Sequence, residues 1–242
     1  MKHCLYFSFL LFFMSIHAQS NVTNNVQGAD SIFSTKLTGE SFLEKKYKGE
    51  PYFYKNWVKG DILLTNGVTI YNENIKYNGL LDQLIWLNPY SSGKIIIDKL
   101  SVTDFWLKNV EGVTTHFKRI KVDQPTFGYS SDIFVQVAVE GKISLYIQRK
   151  VLVFGSENYY LDSKLFSIDL VESNPLYYIK LPSNRYCAMT DIRRRAFLKL
   201  FPDQKKVIDK AIKTNHLNFK NEDSFTKIIE MLNKEVFTSS TL

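Results

Sequence analysis

Apolar and polar residues alternate most regularly between positions 133 and 148. Ile133, Val135, Val137 and Val139 interleave with Phe134, Gln136 and Ala138. After Glu140-Gly141, Ile143, Leu145 and Ile147 interleave with Lys142, Ser144, Tyr146 and Gln148. A period of two places successive side chains on opposite faces of a strand. The pattern predicts a hairpin with Ile133, Val135, Val137, Ile143, Leu145 and Ile147 on one buried face. Phe166, Ile168 and Leu170 repeat the alternation, as do Tyr177, Ile179 and Leu181, and Pro182 ends it.

An earlier hairpin is expected at Asp61–Leu64 and Val68–Tyr71. These runs flank Asn66-Gly67, a pair that tolerates the positive φ of tight turns. Ile75–Tyr77, Leu84–Leu87, Lys94–Asp98 and Val102–Leu107 read as further short strands, with Pro89, Ser91, Ser92 and Gly93 between them. Short strands at this spacing suggest an antiparallel meander, not βαβ units.

The period changes in the tail. Thr190 is expected to cap a helix carrying Ile192, Ala196, Phe197 and Leu200, and Pro202-Asp203 breaks the chain. Val207, Ile208, Ala211 and Ile212 form the stripe of a second helix stopping near Asn215. Asn221 caps a third, with Glu222 and Asp223 where the helix dipole favours anions, and with Phe225, Ile228, Ile229 and Leu232 along one side. The fold class expected is therefore α+β: an antiparallel β-rich body over 49–182 with a helical segment over 183–242 packed on it.

The N-terminus reads differently. A short basic start, Met1-Lys2-His3, precedes an apolar run from Leu5 to Ile16 and a small residue at Ala18. This is the layout of a signal peptide over 1–18, cut before Gln19. An uncleaved anchor is the alternative, but the run is shorter than the roughly 20 apolar residues of a spanning helix. Residues 19–48 read as a flexible leader, although Phe33, Leu37, Phe42 and Leu43 could cover a core edge. The expected localisation is exported: periplasmic, outer-membrane-associated or extracellular, and not membrane-spanning after cleavage.

Composition is that of a globular chain, with 45% hydrophobic and 23% charged residues. Two cysteines occur, and cleavage would remove Cys4 and leave Cys187 alone, so no internal disulfide is expected and Cys187 reads as a structural thiol. A formal charge of +7 fits solubility or contact with anionic lipid or acidic glycan.

The search for chemistry returns little. His116 and His216 are far apart in sequence, without HExxH or CxxC spacing, so no metal is expected. Walker, G-x-G-x-x-G and G-x-S-x-G patterns are absent, and no cofactor is expected. Asp82, Asp98 and Asp104 sit at strand ends, where turns favour Asp. Arg193-Arg194-Arg195, Lys199 and Lys205 make a basic stretch, but Asp191, Asp203 and Asp209 interleave and stacking aromatics are few, which argues against nucleic acid. Tyr52, Tyr54 and Trp57 cluster ahead of the first strand; exposed they would stack on a sugar or a protein, and buried they would edge the core. Tyr52, Tyr54, Trp57, Arg193, Arg194 and Lys205 are thus the candidate binding surface.

Gly49-Glu50-Pro51-Tyr52-Phe53, Trp57-Val58-Lys59-Gly60-Asp61, Lys76-Tyr77-Asn78 and Asp82-Gln83-Leu84 form a series, continued by Phe134-Val135-Gln136-Val137 and Phe197-Leu198-Lys199-Leu200-Phe201-Pro202-Asp203. It resembles a group of exported proteins of unknown function common in Bacteroidetes. The resemblance implies the envelope of a Gram-negative bacterium and carries no catalytic residue. Two functions follow as expectations: a non-enzymatic envelope component binding a partner protein or surface glycan, or a polysaccharide-directed hydrolase with dispersed carboxylates.

Overall fold

The computed structural model describes residues 37, 39–90, 93–124 and 129–237. The expected signal peptide, the leader as far as residue 36, and Phe33 lie outside them. The described residues fall within one compact unit spanning Lys36–Leu242. Its strands are β1 (Gly39–Ser41), β2 (Tyr47–Lys48), β3 (Val58–Leu64), β4 (Thr69–Asn78), β5 (Gln83–Leu87), β6 (Lys94–Ile97) and β7 (Val102–Lys108). They continue as β8 (Thr114–Gln124), β9 (Tyr129–Val139), β10 (Ser144–Gln148), β11 (Val151–Leu161), β12 (Lys164–Ser173), β13 (Leu176–Lys180) and β14 (Tyr186–Met189). Three helices follow: α1 (Arg194–Leu198), α2 (Lys205–Thr214) and α3 (Glu222–Glu235). The body is nearly all antiparallel β-sheet, and among the described residues helix is confined to the C-terminal end apart from one 3₁₀ turn at Lys99–Ser101.

Eleven strands form one sheet in the order β1-β6-β5-β4-β3-β7-β8-β9-β10-β13-β14, and a smaller sheet runs β11-β12-β2. Gly39–Ser41 and Tyr47–Lys48, expected as the end of a flexible leader, pair with β6 and β12 respectively. Strand hydrogen bonds thus tie this segment into both sheets. Leu37 packs on the core, whereas Leu43 stays exposed.

The β3–β4 turn forms at Asn66-Gly67, with Gly67 at φ +82 and its N–H donating to the Leu64 carbonyl. Asn66 remains at negative φ and its side chain accepts from the Val68 N–H instead. Ile75–Tyr77 is the far end of β4, not a strand of its own.

Directly opposed residues share a face of the sheet. The row Ile62, Phe105, Phe117, Gln136, Ile147, Tyr177, Met189 therefore marks one face from β3 across to β14. At the β3 end this face curls onto itself. Tyr77 of β4 meets Phe105, Phe117 and Phe134, the last from β9, which lies four strands along the sheet. At the β14 end the three helices cover the same face, so that Leu145, Ile147, Ile179, Phe197, Ile208, Phe225, Ile228, Ile229 and Leu232 share one core.

Two latches hold the curl. Asp82, in the β4–β5 turn at φ +51, accepts from the Tyr77 hydroxyl at 2.8 Å, from Lys99 Nζ at 2.6 Å and from the Phe134 N–H at 3.3 Å. Gly79 lies against the carbonyl of Arg149, where a Cβ would come within 2.1 Å, and its own carbonyl accepts from the Val151 N–H. Only a glycine allows that approach.

The 133–148 hairpin forms, but its expected single buried face does not. Leu145 opposes Val139 while Tyr146 opposes Val137, which leaves Ala138 as a bulge. A bulge reverses the facing of the residues beyond it. Val139, Ile143, Leu145 and Ile147 therefore look towards the helices. Ile133, Val135 and Val137 look the other way, onto Ile120, Val122, Tyr146 and Tyr178.

The helices also differ in detail from the sequence reading. Thr190 is no cap: α1 begins at Arg194 after Arg193, whose side chain makes no capping bond. In α2, Ile208 and Ile212 are buried but Val207 points to solvent. In α3, Asn221 caps the Ser224 N–H at 2.9 Å and all four apolar residues are fully buried. Cys187, in β14, is a free thiol that is half-buried against the helix-side core.

Candidate functional site

The six residues singled out from the sequence separate into three places. Tyr52 is buried and Trp57 half-buried, and together they wall in the amine of Lys76. Its Nζ lies 4.0 Å from the Tyr52 ring centre and 5.5 Å from that of Trp57. Lys76 is only 8% exposed. Burial lowers its pKa, and the Glu50 and Glu44 carboxylates act against that shift. The Tyr52 hydroxyl donates to Glu44 Oε1 at 3.3 Å, and Glu44 also pairs with Lys94. Burial, then the Glu44 charge, pushes the Tyr52 phenol well above its usual range. These aromatic faces hold the chain's own cation, a contact worth about 2 kcal/mol when desolvated.

Tyr54 belongs to the opposite side of the sheet. Its ring lies 4.6 Å from Phe53, which in turn meets Phe117, and its hydroxyl shares a 3.0 Å hydrogen bond with Thr115 Oγ1. Arg193, Arg194 and Lys205 stand on the helical segment. Arg193 is exposed beside Asp191, and Arg194 pairs with Asp209, which Lys213 also contacts. Arg194 and Lys205 meet in a shallow basic hollow with Arg195, Leu198 and Lys199.

A line of ionisable groups that the sequence reading did not connect crosses the outer face of β7, β8 and β10. Asp104 opposes Lys118, and Trp106 opposes His116. His116 Nε2 is 2.7 Å from Asp104 Oδ1, and the imidazole stacks on Trp106 at 4.8 Å between ring centres. Lys118 Nζ donates to Glu140 Oε1 at 2.7 Å, and Tyr146 Oη reaches the same oxygen at 3.4 Å. β8 lacks a clean apolar alternation, so the registers that assemble this line were invisible in the sequence.

In this line Glu140 is held below the usual carboxyl range by the Lys118 hydrogen bond; elsewhere Glu44, beside Tyr52, is lowered by Lys94, and Asp209, on α2, by Lys213 and Arg194. A glycosidic general acid requires the opposite shift, upward by burial. These three carboxylates are ionised at neutral pH and act as fixed ion-pair partners. Among the described residues, no group of three or more His, Cys, Asp or Glu side chains is placed to hold a metal ion. Among those residues, too, no helix is long and apolar enough to cross a membrane.

Among the described residues, exposed apolar side chains gather on the β11–β12 hairpin. Phe166, Ile168 and Leu170 were expected to supply a core face, and they belong instead to an arm that is largely open to solvent. Its pairs run from Val151–Ser173 to Leu161–Lys164 and close in a turn at Asp162-Ser163, both at positive φ. Tyr159 stacks on Phe166 at 5.7 Å on one side, and Tyr160 opposes Leu165 on the other. Tyr160 is 76% exposed, Phe154 63% and Leu165 58%. Leu152, Val153, Tyr159, Leu161 and Phe166 are exposed as well. The middle of the arm is anchored by Lys48 on Glu157 at 2.7 Å and by Lys45 on Asp169 at 2.6 Å.

Comparison with known protein families, with curated proteins and with solved structures finds no match to this chain.

Proposed function

We propose that the protein is an exported, non-enzymatic component of the cell envelope that works by binding a protein partner through its β11–β12 arm. The observation that carries this reading is the exposure of aromatic and aliphatic side chains on both faces of a single hairpin. Contiguous apolar surface of this kind on a monomer marks an interaction site, because leaving it in water costs free energy that a partner recovers. The arm offers an open strand edge beside its apolar side chains, and the N–H and C=O groups of such an edge are completed by the backbone of another polypeptide. The export expectation rests on the basic start, apolar run and small residue of the first 18 positions.

The experiment is native electrophoresis of solubilised envelope from cells producing the full chain. The wild type is expected in the envelope fraction, in a complex well above monomer mass. Tyr160→Lys with Leu165→Lys is expected at monomer mass with an unchanged circular dichroism spectrum. Identical mobility of the two, or retention of the wild type in the cytosol, removes this reading.

A further inference from the structure

We infer that the partner of the arm is a second copy of this chain, joined by antiparallel pairing of β11 with β11 of the other copy; this rests on the arm being the binding element. β11 is the edge strand of the smaller sheet. An edge strand carries a row of unpaired N–H and C=O groups, and monomeric proteins blunt such edges with lysine, proline, short length or bulges. Over its 11 residues β11 has neither lysine nor proline. Its one charge, Glu157, is taken by Lys48. Its one irregularity lies between Val153 and Gly155. From Gly155 to Leu161 the edge is regular, and among the described residues no strand pairs with it.

The register follows from symmetry. A two-fold axis through an antiparallel strand pair places one residue opposite itself. The midpoint of the regular stretch is Asn158, so Glu157 falls opposite Tyr159, Ser156 opposite Tyr160 and Gly155 opposite Leu161 of the other copy. Centring on Glu157 instead would oppose two carboxylates, which is destabilising. With Asn158 at the centre, the Tyr159–Phe166 stacks of both copies lie on one face of a continuous six-stranded sheet. Tyr160 and Leu165 lie on its other face.

Edge pairing and charge favour a second copy over a bilayer. Self-pairing centred on Asn158 completes the open backbone groups of β11 and opposes no like charges, since its one carboxylate, Glu157, meets Tyr159. Asp162 and Lys164 cap the arm beyond its apolar section. A hairpin entering lipid tip-first would carry those charges in ahead of the apolar side chains, at a cost of several kcal/mol. Lateral pairing leaves them in water.

The test uses the purified full chain and analytical ultracentrifugation across the micromolar range. The wild type is expected to sediment as a dimer, and Tyr160→Lys to shift at least tenfold towards monomer with unchanged secondary structure. Asn158→Cys is expected to form a disulfide-linked dimer on mild oxidation, since opposed Cα atoms lie within the 4.4–6.8 Å that a disulfide spans. Tyr160→Cys is expected to cross-link poorly. A monomeric wild type overturns the self-pairing. So does a dimer untouched by Tyr160→Lys and not trapped through Asn158→Cys. If the purified chain is monomeric while the arm-dependent envelope complex persists, self-pairing fails and the binding reading stands. If the monomer instead binds phosphatidylglycerol vesicles through the arm, lipid replaces the second copy. If arm substitutions change neither assembly, both fail.

Discussion

The side-chain amide of Asn233 holds both backbone polar groups of Ile143. Its Nδ2 donates to the Ile143 carbonyl at 2.8 Å, and its Oδ1 accepts the Ile143 N–H at 3.0 Å. A residue of α3 thus takes the place of a neighbouring strand at the β9–β10 turn, and Gly141 packs against the same amide. Asn233→Ala leaves one donor and one acceptor at a part-buried site and is expected to cost about 1–3 kcal/mol. The fall in midpoint in urea unfolding measures it. A loss below a few tenths of a kcal/mol would show that water replaces the amide freely.

The bulge at Ala138 makes a sharp distinction between two apolar residues of one hairpin. Leu145 is fully buried beneath the helices, whereas Val137 is half-buried on the outer face. Leu145→Ala should cost about 2–5 kcal/mol through the cavity it leaves. Val137→Ala should cost about 1 kcal/mol or less. Equal losses would return both residues to a single buried face.

Asp82 ties the curled sheet shut through Tyr77, Lys99 and the Phe134 N–H. Asp82→Ala strands the buried Tyr77 hydroxyl and the Lys99 ammonium and puts alanine at positive φ; a loss of about 2–4 kcal/mol is expected. Asp82→Asn keeps an acceptor and tolerates that φ, so its loss should be clearly smaller. The comparison is made by chemical denaturation of both variants.

Stability is expected to fall at alkaline pH. Burial raises the phenols of Tyr52, Tyr77, Tyr146, Tyr177, Tyr178 and Tyr186 above their ordinary value of 10.0. In the unfolded chain they ionise near pH 10, while in the folded protein they keep their protons. Their contribution is therefore intact below pH 10 and is lost progressively above it. Absorbance at the tyrosinate band should show these phenols titrating together with unfolding as circular dichroism reports it. A smooth titration near pH 10 with the fold intact would contradict their burial. At the acid end the sign reverses: the lowered Glu44, Glu140 and Asp209 favour the fold above about pH 4.5 and lose that contribution below it.

Local rules made part of this fold legible in the sequence alone. Asn221 with Glu222 and Asp223 announces the start of α3, because capping is a contact within one turn. The stripe Phe225, Ile228, Ile229, Leu232 gives the face that is buried, because helix geometry fixes which residues stand together. Asn66-Gly67 marks a hairpin because its turn needs a positive φ. Each of these depends on neighbours in the chain.

What the tertiary structure decided depends on distant partners. The alternation at 133–147 names the strands, yet one unpaired residue, Ala138, divides their apolar side chains between two faces. Tyr52 and Trp57 read as a possible stacking surface until Lys76, brought from another strand, occupies them. The line Asp104–His116 and Lys118–Glu140 exists only in the register of β7 on β8 and in the reach of Lys118 to the end of β9. Phe166 and Leu165 carry the same hydrophobicity as any core strand, and only the three-dimensional arrangement leaves their hairpin uncovered. Alternation states which residues share a side of a strand; whether another layer lies over that side is set by packing between segments far apart in the chain, which no local period encodes.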